Sequence, residues 1–499
     1  MCKSNLFNTL LLLSVLSFAS CSKTSIKPKT TSIDTNSVDT TKNVGVTQNL
    51  PPGVVTTFGS NATNWITAMQ SDVAVLSLES LNGNKISTDS QGNIYILFKF
   101  YGTLDIDPST AVVIGGEYQD QVVLAKYSAA GKFIWSKQFT AASTTIICGL
   151  TCDAYGNIYC CLKCYNTSAL QIDKNSYPLH NTAANTEIVK FSGSGNVLWL
   201  KEIGGSTIYD IAVDPAGNFY ACGAMLGGVA FYNSPNDNIL TYTGLWPNQY
   251  YWVKYDNNGN YVASSAIIST QESLDNVVYA PVLTVDINQN IYVGGRTSGE
   301  ETAFDVTVPQ GAFLAKYDKG GNPILFKVYT NDNSLIKIYH FYSLKADVQG
   351  NIYFFGQVND ASTDLLWKMD GQGNDLWNKA ITANLSDGNL SLNIDDNNNV
   401  LVSGDCVVNP GVSTVIGNHG IFFNQYSSGG AKLFSKTLAG YDITDYIAFY
   451  NTAIDKNKNI DVIGYFNGSV DLLGTSSDPK RSFTDYYNSF FIAHFSGLQ

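Results

Sequence analysis

Arginine is almost missing: Arg296 and Arg481 are the only two in 499 residues. Two isolated guanidinium groups cannot form the bidentate cluster that grips carboxylate or phosphate. Charged residues of all kinds make up 14% of the chain and the formal net charge is −12. The clustered Lys and Arg needed to displace counterions from a nucleic-acid backbone are therefore lacking, and no nucleic-acid partner is expected. The four histidines, His180, His340, His419 and His494, are scattered along the chain, which leaves general-base and metal chemistry thinly supplied. What the chain does have is 44% hydrophobic residues, 30 Tyr, 25 Phe and 43 Gly. Aromatics suit pleated surfaces and glycine suits tight reversals, so an all-β protein is expected.

The N-terminus begins Met1-Cys2-Lys3, runs through apolar Leu6 to Phe18 and reaches Ala19-Ser20-Cys21. A basic start, about a dozen apolar residues and small residues before a cut make an export signal, too short to span a bilayer as a stable helix. The segment resembles a bacterial lipoprotein signal, which implies that Cys21 is lipidated and becomes the mature N-terminus, with residues 1–20 removed. Phe18 departs from the usual Leu, and an ordinary signal peptide with a chance cysteine is the alternative. Elsewhere no apolar run is long enough to cross a membrane. Residues 21–57 are rich in Ser, Thr, Lys and Asn and end near Pro51-Pro52-Gly53, a composition that cannot offset its ordering entropy by burial and reads as a tether. The remaining 58–499 read as one domain.

That domain repeats. A turn of the form Asp-x-x-Gly-Asn followed by Ile-Tyr occurs at Asp89, Asp153, Asp214 and Asp347, loosened to Asn-rich forms at Asp286, Asp395 and Asp455. Successive aspartates lie 64, 61, 72, 61, 48 and 60 residues apart. A second turn follows an apolar strand, as in Leu124-Ala-Lys-Tyr127 before Gly131, and Trp135, Trp199, Trp377 or Phe434 follows the glycine. Two hairpins per repeat give four strands, which cannot bury both sheet faces alone, so radial stacking into a propeller is expected. The seventh repeat stops at Phe490–Phe495 without a fourth strand, while Trp65–Met69 looks like a fourth strand with no repeat before it. The expectation is a seven-bladed β-propeller of four-stranded blades, with Trp65–Met69 completing the last blade and closing the ring.

The segment Gly92-Asn-Ile-Tyr95, Gly102-Thr-Leu-Asp-Ile-Asp-Pro108, Val123-Leu-Ala-Lys-Tyr127, Gly131 and Trp135-Ser-Lys137 resembles the bacterial SBBP-type β-propeller repeat, over roughly residues 61–499. The resemblance implies fold and export, and brings no catalytic residues.

Cys148, Cys152, Cys160, Cys161 and Cys164 cluster in the second repeat, but strand alternation puts Cys160 and Cys164 on one face and Cys161 on the other. Buried thiols are the main expectation, with a disulfide between the first two strands or a zinc site as alternatives. The runs at Asp286, Asp395 and Asp455 resemble half of a calcium loop but lack its glycine and distant Glu. The stretch Ser87–Gly92 invites comparison with a sialidase Asp-box, yet its glycine comes one residue late and two arginines cannot build that enzyme's triad.

Both short turns belong to one face, so a ligand is expected on the opposite, long-loop face or at the channel mouth. Candidate aromatics there are Tyr232, Tyr242, Trp246, Tyr250 and Tyr251, and Tyr339, His340, Phe341 and Tyr342, set to stack on sugars or anchor a protein, unless they simply pack their own loops. The leading set is Tyr242, Trp246, Tyr250, Tyr339 and Tyr342. The functional expectation is a membrane-anchored, non-catalytic binding or scaffold module for a protein or glycan, monomeric and held at the outer membrane. The alternative is a polysaccharide hydrolase or lyase using channel carboxylates such as Asp210. No cofactor or metal is expected.

Overall fold

The computed structural model of the chain describes residues 64–71, 84–107, 112–140, 145–165, 167–180, 184–232, 238–241, 248–270, 280–297, 301–303, 306–329, 338–358, 363–381, 385–407, 419–439, 446–467, 469–470, 481–482 and 489–496. By contacts the chain divides into residues 1–47 and 48–499, and everything described lies in the second unit. Cys21, the signal segment and the tether therefore lie outside the described residues.

In each repeat the first strand runs into a turn capped by its aspartate. In the first, the Asp89 amide donates to Asn93 O at 3.0 Å and the Gly92 amide to Asp89 O at 2.9 Å. Asp89 Oδ1 accepts the amides of Gln91 and Asn93, while Oδ2 accepts Asn93 Nδ2 and the hydroxyl of Tyr95. Gly92 supplies the positive φ of 78° that closes the reversal. The loosened repeats keep the same bonds without glycine: Gln289, Asn398 and Lys458 take φ of 64°, 60° and 65° in its place. The carboxylates of Asp286, Asp395 and Asp455 face inward onto Asn290, Asn399 and Asn459, so these runs are hairpin caps and not open calcium loops.

The fold is an all-β propeller, with no helix among the described residues, and its strands form five large antiparallel sheets. Three are four-stranded and sequential, one each for repeats four, five and six; repeat four runs Val282–Val285, Ile291–Thr297, Gly311–Tyr317 and Pro323–Tyr329. An eight-stranded sheet carries repeats two and three, joined by the strand Val197–Val213, which ends one repeat and begins the next. A ten-stranded sheet carries repeats seven and one. In it Trp65–Ser71 pairs with Ser489–Phe495, placing Trp65 opposite His494 and Met69 opposite Phe490, and its end continues onto Ile94–Asp105.

Core side chains fill the gaps between neighbouring repeats. One layer joins Phe98 and Val123 of repeat one to Phe490 and Ile492 of repeat seven. Another joins Leu97 and Leu124 to Cys160 and Leu162 of repeat two. A third sets Leu401 and Phe423 of repeat six against Phe449 and Phe491 of repeat seven.

Polar latches cross the same gaps. The lysine near the end of the third strand, as in Ala-Lys-Tyr127 or Val-Lys-Phe191, sits over the ring of the tyrosine that bonds the turn aspartate, 5.1 Å for Lys126 over Tyr95 and 4.9 Å for Lys190 over Tyr159. Its ammonium then donates to a turn carbonyl of the next repeat: Lys126 to Gly193, Lys190 to Asn257, Lys316 to Gly371 and Lys368 to Ser428. Tryptophan Nε1 does the same from the outer strand, Trp135 to Gly193 O at 3.2 Å and Trp199 to Asn257 O at 3.1 Å. Trp65 follows this pattern, donating to Ala129 O of repeat one at 3.0 Å.

In repeat seven, Asp461 and His494 stand where repeats one to five have the tyrosine and the lysine. Their side chains bond directly at 2.7 Å, and the Trp65 indole stacks on the imidazole.

Candidate functional site

The first strands are the elements that meet at the middle of a propeller, and they bring together charged side chains distant in sequence. Lys85 precedes the first strand of repeat one, Asp210 lies in the first strand of repeat three and Lys345 in that of repeat five, and each lysine is near enough to Asp210 to act on it electrostatically. Asp210 sits at a register irregularity between Ile208 and Asp210, which turns its carboxylate toward the next repeat. Oδ2 accepts the amide of Leu283 and Oδ1 that of Ile211, both at 2.9 Å. Burial pushes the Asp210 carboxyl up, opposed by Lys345, by the two amides and by Lys85. Burial brings the Lys85 amine down to about 8, against the pull of Asp210. Two amines face one carboxylate here, a locally positive spot in a chain of net charge −12. Asp210 itself serves as a clamp between repeats three and four.

Asp405 in repeat six does similar work, accepting the amide of Phe449 in repeat seven at 2.7 Å. Burial pushes its carboxyl up to about 7 although the backbone donors oppose this.

The aromatic candidates do not form one surface. Tyr242 and Trp246 lie outside the described residues, as do the side chains of Tyr339 and His340. Tyr250 is 2% exposed and packs on Phe313, so it is a core residue, which corrects the expectation of an exposed ligand contact. It lies in the strand Asn248–Tyr255, both faces of which are buried and which only looks like loop when taken as part of an insertion. Tyr251 is buried as well, its hydroxyl 2.8 Å from Ser206 Oγ, and Phe341 is buried between repeats four and five. Tyr342 is half-buried against Phe355. Tyr232 stacks on His180 with ring centroids 5.1 Å apart.

The cysteines follow strand alternation. Cys160 and Cys164 pack with repeat one, while Cys161 and Cys148 pack toward repeat three. The seven described cysteines are free, and burial pushes the Cys152 thiol up to about 12. No cluster of three or more His, Cys, Asp or Glu suited to a metal occurs among the described residues.

Sequence reading missed Lys85 and Lys345, whose meeting with Asp210 depends on how the repeats stack and leaves no local signal. It also missed Glu187, although a signal existed: three residues before the latch lysine the other repeats have Val123, Tyr251, Phe313 and Leu365.

The fold defines a class, a repeat-built all-β propeller. No family model matches the chain. Over 215 residues it is 25% identical to an uncharacterized WD repeat-containing protein of Acanthamoeba polyphaga mimivirus, a match covering 36% of this chain and only 15% of the relative's length. Among solved structures it is similar to a protein of unknown function from Bacteroides caccae, with a TM-score of 0.34 and 12% identity over 60% of this chain and 81% of that one. It is also similar to a streptogramin B lyase, with a TM-score of 0.40 and 8% identity over 86% of this chain and 97% of that one. A chain of the mitotic checkpoint complex gives a TM-score of 0.38 and 8% identity, covering 88% of this chain and 96% of its own.

Proposed function

We propose that this protein is an exported β-propeller of the SBBP repeat kind, tethered to the outer membrane through Cys21, acting as a monomeric, non-catalytic binding or scaffold module for a protein or glycan. The observation that carries the reading is the use made of Asp210. Both of its oxygens accept backbone amides, so the acid named for a hydrolase or lyase is a structural clamp. A general acid must instead reach the proton it transfers in a substrate.

The scaffold is proposed to be a closed ring of seven blades. Supporting this, the first strand of repeat one, Ile86–Thr88, packs against that of repeat two, Thr145–Cys152, and that of repeat seven, Tyr446–Ile454. The turn glycine Gly92 of repeat one also lies 3.5 Å from the Asp455 carboxylate of repeat seven when given a Cβ.

Glycan-array and pull-down screening with the full chain tests the binding role, with Trp246→Ala expected to weaken whatever is captured through the long-loop face. Polysaccharide cleavage that Asp210→Asn abolishes would overturn the non-catalytic reading. For the anchor, Cys21→Ser is expected to move the protein from the membrane to the soluble fraction; unchanged membrane association would remove that part.

A further inference from the structure

Glu187 and Glu202 lie directly opposite each other on the paired strands Ala184–Phe191 and Val197–Val213, so their side chains share one face. That face is turned toward repeat one, since Val189 and Phe191 on the same side of the strand pack with Leu97 and Leu124. Both carboxyl groups are fully buried, at 0% exposure. Like charges set opposite one another and out of water repel, and each needs compensation.

Glu202 has it. Its Oε2 accepts the backbone amide of His180 at 2.7 Å and faces His180 Nδ1 at 3.0 Å, and its Oε1 accepts Asn185 Nδ2 at 2.8 Å. Glu187 does not: neither Oε1 nor Oε2 meets a donor. Burial first, then the charge of Glu202, pushes its carboxyl up to about 9, and no basic side chain opposes them. Around the pair, Tyr232 donates its amide to Glu202 O at 3.0 Å and lays its ring over Gly204 and His180. The His180 side chain is about half exposed.

We propose that Glu187 and Glu202 form a binding site for a hard divalent cation of the Ca²⁺ class, on the face of repeat two that packs toward repeat one. Two opposed carboxylates with an adjacent amide side chain, Asn185, offer the oxygen donors that Ca²⁺ prefers. A cation between them compensates both charges at once and gives the orphaned oxygens of Glu187 a partner. His180 then acts as an outer partner that orients the Glu202 carboxylate. This site is independent of the binding role proposed above and of the lipid anchor.

The test uses the full chain, stripped with EGTA and then titrated with CaCl₂ while its thermal midpoint is followed. A saturable rise is expected, with Glu187→Gln weakening the apparent affinity at least tenfold and Asp375→Asn, an exposed rim carboxylate, leaving it unchanged. Should Glu187→Gln fail to fold, terbium luminescence sensitised by tyrosine in the native chain, displaced by Ca²⁺, reads the same site. Absence of a saturable response to Ca²⁺ in both measurements, a response to Zn²⁺ alone, or a Glu187→Gln protein that responds like the native chain would overturn the proposal and leave Glu187 as a buried protonated acid.

Discussion

Replacing Trp65 with alanine tests whether the strand Trp65–Ser71 belongs to the cooperative fold or merely lies against it. The indole is half-buried, stacks on His494 at 5.5 Å and lies against the turn glycine Gly131, where an added Cβ would come within 2.6 Å of the ring. Half of an indole's burial, on the order of 100 Å² at roughly 25 cal/mol per Å², corresponds to about 2.5 kcal/mol. The bond from Nε1 to Ala129 O adds about 1 kcal/mol and the stacking roughly 0.5–1 kcal/mol more. The total is about 4 kcal/mol. An unfolding entropy of ~2.1 cal/mol/K per residue over about 440 residues gives roughly 0.9 kcal/mol per degree, hence a fall in Tm of about 4 °C. Differential scanning calorimetry measures it, and Trp199→Ala, which removes the equivalent latch onto Asn257, provides the internal comparison. If Trp65→Ala moves Tm by less than about 1 °C while Trp199→Ala lowers it by several degrees, the terminal strand is peripheral and the latch argument fails at the seam.

Two further predictions concern the interior. Burial places the folded pKa of Asp405 at about 7, above its ordinary value of 3.8, so between these limits the folded state binds more protons than the unfolded one. Stability contributed by the protonated acid is therefore present at about pH 4 and is lost as pH rises toward 7. Asp405→Asn keeps an acceptor for the Phe449 amide and is expected to flatten this part of the Tm profile, leaving the variant more stable than the native chain at about pH 8; parallel profiles would show that Asp405 does not titrate in this way. Gly223→Ala is expected to be severely destabilising, because its Cβ would come within 2.2 Å of Thr207 O in the paired strand. Gly156→Ala, whose Cβ meets nothing within 4 Å but whose φ is 78°, should cost only about 1 kcal/mol, and similar Tm values for the two would refute the close-approach argument.

Repetition made the strands legible. Asp, Gly and Asn at fixed offsets dictate hairpins through local bonds, and the bonds survive at Gln289, Asn398 and Lys458, where glycine is gone. The pairing of Trp65–Met69 with Phe490–His494 was readable for the same reason: one end of the chain lacks a strand and the other has one to spare. The face assignment of Cys160, Cys161 and Cys164 followed from alternation alone. Tyr250 was misread because aromatic residues near an insertion look like loop residues until their pairing partners are known.

By itself, then, the amino-acid order determined the elements, since a turn closes on bonds within five residues and a strand alternates with a period of two. It could not determine what the recurring Lys and Trp are for, because each acts across the gap to the next repeat, some 51 to 67 residues away. The gathering of Lys85, Asp210 and Lys345, and the pairing of two buried glutamates, were likewise decided only by the tertiary structure. Charges so far apart along the chain interact only once sheets are paired and stacked, and no local pattern encodes that distance.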